Sequence, residues 1–119
     1  MATREIQRNE WPAFLDTFSK EHQGLIATIT VISPDIGAQE AVQGIPLAGI
    51  TTDRKGSEKD SITILLGAEP VDRAEHFVTE ATHLWVNAGG ESAGDVIEIG
   101  ARDGSQTILQ LHASAELPA

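Results

Sequence analysis

The apolar positions of this chain change period once, near residue 24, and that change separates a helix from a sheet. Trp11, Phe14, Leu15 and Phe18 recur at i, i+3, i+4 and i+7 and share one face, which predicts a helix over about 10–23. Asn9 stands where an N-cap is expected, and Pro12 falls in the first turn, where its missing N–H removes no intrahelical bond. Lys20 and His22 lie near the C-terminal end, where cations are favoured, and Gly24 reads as the stop. So large an apolar stripe must be covered, and the rest of the chain supplies a sheet to cover it.

From Leu25 the period is two. Leu25, Ala27, Ile29 and Val31 line one face of a strand that Pro34, Asp35 and Gly37 end. Gly44, Pro46 and Gly49 interrupt the stretch Ala38 to Gly49, which reads as an irregular or edge strand. Ile50–Asp53 and Ser61–Gly67 form two arms of a hairpin around a charged loop, with Ile62, Ile64 and Leu66 on one face of the second. Beyond Pro70, Ala74–Thr79 and His83–Asn87 are strand candidates, followed by a loop containing Gly89, Gly90 and Gly94. The last pair, Asp95–Ala101 and Ser105–His112, flanks Asp103-Gly104, a strong hairpin signal.

Two registers are open to that hairpin. A two-residue loop at Asp103-Gly104 pairs Arg102 with Ser105 and mixes polar and apolar residues on both faces. A three-residue loop, with Gly104 left-handed as a G1 bulge, pairs Ala101 with Ser105 instead. Ile97, Ile99, Leu109 and Leu111 then share one face, and Glu98, Gln110 and His112 share the other with Val96 and Ile108. A one-residue slip exchanges buried and exposed sets, so the cleaner segregation favours the bulged turn.

Together these elements predict an α+β fold: one N-terminal helix packed on a curled antiparallel β-sheet or partly open barrel of about six to eight strands. The 119 residues suit a single domain, with a β-rich body over about 25–112 and a frayed tail at 114–119. Charge narrows the partners. Eight Lys and Arg against eighteen Asp and Glu give a formal charge of −10, which opposes nucleic acid and anionic membranes. The one basic cluster, Arg54, Lys55 and Lys59, is interleaved with acids and reads as a solvated loop. With no cysteine there is no disulfide, thiolate nucleophile or Cys-based zinc site. No apolar stretch approaches the ~20 residues of a membrane span, and the charged opening lacks a secretory core, so a cytoplasmic location is expected.

Candidate chemistry is sparse. The histidines His22, His76, His83 and His112 are the side chains whose ordinary pKa lies near neutrality. His76 and His83, with Glu75 and Glu80 nearby, could converge as a two-His, one-carboxylate metal site, but the spacing matches no known ligand signature, so no metal and no cofactor is expected. The Gly89–Gly94 loop lacks the lysine and the following helix of a phosphate cradle, and no Gly-x-Ser-x-Gly run is present. Glu98, between Ile97 and Ile99, belongs to the solvated face. Trp85 is expected in the core, with an exposed interface anchor as the other reading. His76, His83, Trp85, Glu98 and His112 are therefore the ligand or interface candidates, and no catalytic residue is assigned.

The run from Arg4 to Trp11, with Phe14, Asp16, Gly24, Pro34–Gly37 and Asp103-Gly104, resembles a family of short bacterial proteins catalogued only as a domain of unknown function, the one numbered 5335. The resemblance implies a bacterial origin and a shared small fold, and it carries no catalytic residue with it. The residues themselves favour a non-enzymatic binding or assembly module acting as a homodimer, since a small open sheet must cover its edges. The alternative is a small-molecule-binding protein or enzyme with a pocket in the curled sheet.

Overall fold

The computed structural model describes residues 3–54, 60–67, 74–87 and 95–112. The charged loop at 55–59, the connection around Pro70, the Gly89–Gly94 loop and the tail at 114–119 lie outside the described residues. A short strand β1 (Thr3–Glu5) and a 3-10 turn (Arg8–Glu10) lead into helix α1 (Trp11–His22). Seven strands follow: β2 (Ile26–Ser33), β3 (Gly37–Arg54), β4 (Asp60–Leu66), β5 (Ala74–Val78), β6 (Ala81–Asn87), β7 (Asp95–Ala101) and β8 (Gln106–His112). They form one antiparallel sheet in the order β1-β6-β7-β8-β2-β3-β4-β5, which is the α+β architecture expected of the sequence.

Helix α1 carries its stripe as expected, with Trp11, Leu15 and Phe18 buried and Phe14 at the rim of the core. Asn9 is not the cap. It lies inside the 3-10 turn, and Glu10 occupies the cap position without a side-chain bond to the helix. The Trp11 indole N–H instead donates to the Ile6 carbonyl at 3.0 Å and ties the helix to the chain that enters it.

The stretch Ala38–Gly49 is irregular as expected, and through Pro46 it pairs with β2 alone, but it belongs to a longer strand than the sequence suggested. That strand, β3, runs for 18 residues; its first half pairs with β2 and its second half pairs with β4. Bulges explain how it accommodates its glycines and proline. The register slips near Gly44, which takes a left-handed φ of 72°, and again between Leu47 and Gly49. Pro46 sits where the β2 ladder ends and the β4 ladder begins, so its missing N–H interrupts neither, while its carbonyl accepts from Gly67 N–H at 2.8 Å.

Once β2 has diverged, the free edge of β3 is covered by the helix. The Ile50 N–H donates to Ser19 Oγ at 2.8 Å, and the Ser19 hydroxyl donates to the Ile50 carbonyl at 3.2 Å. Between the two arms of the bent sheet lies one core. Ile62, Ile64 and Leu66 of β4 face it from one side, and Leu84, Ile97, Ile99, Leu109 and Leu111 from the other, all at most 1% exposed.

The final hairpin adopts the bulged register. Ile97 pairs with Leu109 and Ile99 with Thr107, the Ala101 N–H donates to the Ser105 carbonyl at 3.0 Å, and the Gly104 N–H donates to the Ala101 carbonyl at 3.0 Å. Gly104 has a φ of 91°, where a side chain would be strained, as a G1 bulge requires.

Candidate functional site

Strand alternation places the candidate residues. Leu84 is fully buried, so its neighbours His83 and Trp85 point outward, and Trp85 is a half-buried residue of the outer face rather than a core residue. Its ring has a specific seat: a Cβ on Gly100 would lie 3.4 Å from Trp85 Cζ3, so the indole fills the space that glycine leaves on β7. The His83 ring stacks on it, centroids 5.1 Å apart, and His83 Nδ1 meets Glu5 Oε2 at 2.9 Å. Glu98 pairs with Trp85 across the β6–β7 ladder, so Glu5, Trp85, Glu98 and Ile108 form a row across four strands.

His112 shares that outer face but not the cluster. It is opposite Ile26, four positions along β8 from Ile108, a separation of roughly 13 Å along the strand. His76 is elsewhere. It pairs with Ile64, and both face inward. His76 and His83 thus lie on opposite faces of the sheet rather than converging on one ion. Among the described residues no group of three His, Asp or Glu is placed to hold a metal.

Two concavities border these residues. The larger, about 390 Å³, lies between β1, the 3-10 turn and β6, with Glu5, Gln7, Arg8, Thr82 and His83 in its walls. Its charged and hydroxyl side chains are already engaged. Besides the Glu5–His83 pair, Arg8 Nη2 donates to the Ala81 carbonyl at 3.2 Å and the Thr82 hydroxyl to the Gly100 carbonyl at 3.2 Å.

The smaller concavity, about 210 Å³, opens where β5 approaches the β7–β8 turn, with His76, Thr107, Asp103 and Ser105 among its polar lining and Val31, Val78 and Ala101 as apolar wall. Burial holds the His76 pKa below its ordinary value, so the ring is a neutral donor–acceptor at neutral pH. The Asp103 pKa is also lowered, first by the Ser105 hydroxyl and then by the Ser105 N–H, which both donate to its Oδ1.

A third histidine arrangement escaped the sequence. His22 lies face to face with Phe18, centroids 3.8 Å apart; its Nδ1 meets the Phe18 carbonyl at 2.8 Å and its Nε2 meets Asp95 Oδ2 at 2.6 Å. This pins the end of α1 to the start of β7, and it is an ion pair whenever the ring carries its second proton. The sequence marked His22 only as a favourable charge at a helix end.

Fold and site together define a small α+β protein in which a helix fills an open antiparallel half-barrel with shallow, mixed clefts at its rim. The Family of unknown function (DUF5335) matches residues 2–119, and the chain belongs to that family. An uncharacterized protein of Aquifex aeolicus (strain VF5) is 27% identical over 120 residues, covering 99% of each chain. No solved structure matches the chain. No helix among the described residues is long and apolar enough to cross a membrane.

Proposed function

We infer that this protein is a non-enzymatic binding or assembly module that pairs with a second copy of itself through β5. The observation that carries this reading is Phe77, a large aromatic 59% exposed on the last strand of the sheet order. β5 has a ladder to β4 and no second strand beside it among the described residues. An edge of this kind offers backbone N–H and C=O groups to another strand, and natural edges are usually blunted by charged side chains, lysine above all, by proline or by a bulge. Ala74-Glu75-His76-Phe77-Val78 contains no lysine, proline or bulge, and Glu75 is its one charged residue. Two copies meeting antiparallel along β5 form a closed, two-fold contact in which each Phe77 packs on its mate.

The contact is small. Five residues a side fall below the ~1,200 Å² of total buried surface found in standard stable interfaces, so a weak, reversible dimer is expected. The charge of −10 on each copy opposes it, and added salt should strengthen it by screening.

Sedimentation velocity over a concentration series tests the reading. The wild-type chain should self-associate, more tightly at higher salt, and Phe77→Lys should weaken association by about tenfold or more, equivalent to about 1.4 kcal/mol. A wild-type chain that stays monomeric at its solubility limit, or a Phe77→Lys variant that associates as well as wild type, would overturn it.

A further inference from the structure

The two concavities differ in the one property that matters for a ligand. In the larger one the charged and hydroxyl side chains are engaged with one another or with backbone carbonyls. In the smaller one Asp103 and Ser105 bond each other, but the described residues leave His76 and Thr107 unengaged. Thr107 is the one buried polar residue among the described residues, 4% exposed, and its hydroxyl has no hydrogen-bond partner among them. The His76 ring likewise has none, although its inward orientation and partial burial cut it off from much of the solvent. Asp103 uses Oδ1 for both Ser105 bonds and leaves Oδ2 without a described partner. The His76 ring, partly buried, facing inward and unmatched by the described residues, marks a place for something else to bond.

The chemistry of that place is one-sided. A carboxylate oxygen accepts only, a neutral imidazole offers one lone pair and one N–H, and a hydroxyl can do either. Acceptors therefore predominate, the carboxylate is anionic, and the molecule around it carries a charge of −10. Anions are repelled and hydrogen-bond donors with positive charge are favoured. Val31, Val78 and Ala101 offer an apolar wall beside these groups. The volume of about 210 Å³ lies under the ~300–1,000 Å³ of drug-sized sites, which limits the occupant to a small molecule.

We propose that the cavity between His76, Thr107 and Asp103 is a binding site for a small primary ammonium compound with a short apolar body. The ammonium donates to Asp103 Oδ2, the imidazole lone pair and the Thr107 hydroxyl, and the apolar body lies against Val31, Val78 and Ala101. The site adjoins the self-pairing edge, since Phe77 and Thr79 also border the cavity, but Asp103 lies on the β7–β8 turn, so an Asp103→Asn variant probes the site while leaving Phe77 and the β5 ladder in place.

Benzylamine, benzyl alcohol and benzoate share a ring and differ in charge, so they separate ammonium recognition from simple apolar binding. In an NMR titration of the full chain at neutral pH, benzylamine should move the His76 ring and Thr107 resonances saturably. Benzyl alcohol should bind about tenfold or more weakly, and benzoate should leave those resonances in place. Asp103→Asn keeps the Oδ1 acceptor of the turn but removes the charge, and it should weaken benzylamine about tenfold or more while the rest of the spectrum stays that of the folded protein. Absence of a saturable shift at His76 with benzylamine, benzoate binding as tightly, shifts centred on His83 instead, or an Asp103→Asn variant that binds as well as wild type would each overturn the proposal.

Discussion

The two ends of β7 handle a partly buried histidine in opposite ways. At its start, His22 comes from the helix with both ring nitrogens engaged, one by the Phe18 carbonyl and one by Asp95, and its ring is stacked on Phe18. At its far end, beside the β7–β8 turn, His76 comes from β5 with neither nitrogen engaged among the described residues and with its pKa depressed by burial. A histidine whose hydrogen bonds are all made inside the fold is a fastener. One whose bonds are left open at the lip of a cavity costs the fold something, and that cost is what makes it a candidate for function rather than architecture.

The paired end should be the harder to disturb without loss. His22→Ala removes the stacked ring, the bond to the helix carbonyl and the bond to Asp95, and part of a partly buried carboxylate interaction goes with it. The expected loss is about 1–3 kcal/mol, read as a lower midpoint in urea at unchanged m-value. A change under about 0.5 kcal/mol would mean that the helix end is held by the burial of Trp11, Leu15 and Phe18 alone, and that the two ends of β7 do not differ as described.

How far these ends were legible in the sequence follows from the range over which each depends. The G1-bulged hairpin was legible because strict alternation on two adjacent strands leaves one register that segregates Ile97, Ile99, Leu109 and Leu111 from Glu98, Gln110 and His112. The helix stripe was legible for the same local reason. β1 was not, since Thr3-Arg4-Glu5 is short and polar and becomes a strand only because β6 offers it an edge. The irregularity of β3 was legible from Gly44, Pro46 and Gly49, but its continuity through Arg54 was not, because these residues look like breakers until bulges and a change of ladder partner give each a place.

For the site, the meeting of His83 with Trp85 follows from their i, i+2 spacing on one strand. Trp85 was nonetheless expected in the core, and the glycine that seats it on the outer face, Gly100, belongs to a different strand. The His22–Asp95 pair spans 73 residues, and no local pattern announces it. That His76 lacks a partner is likewise a fact about tertiary packing.

The open end should reveal itself through pH. Burial lowers the folded-state pKa of His76 below the ~6.5 of the unfolded chain, so between the two values the unfolded state binds more protons than the folded state. Stability should therefore be independent of this group above about pH 6.5, fall as the pH drops through the window below it, and level off once the folded protein is protonated too. His76→Gln removes the titration, and the difference in urea midpoint between variant and wild type should shift in the variant's favour as the pH falls through that window. A difference that stays constant with pH, or shifts the other way, would mean that the imidazole charges in the folded state as easily as in water.

The smallest expected effect is the sharpest comparison with His22. Thr107→Val replaces a hydroxyl by a methyl of nearly the same shape at a position only 4% exposed, on the inner face opposite Ile99. If the hydroxyl were bonded within the fold, its removal would cost about 0.5–1.5 kcal/mol, as losing a net hydrogen bond does. With no partner to lose and an apolar wall to gain, the variant should match wild type or exceed it by up to about 1 kcal/mol. A polar group whose deletion stabilises the fold is one the fold does not use, and at the open end of β7 that is the expected result. A measured loss of about 1 kcal/mol or more would place Thr107 with His22 among the fasteners and remove the contrast between the two ends.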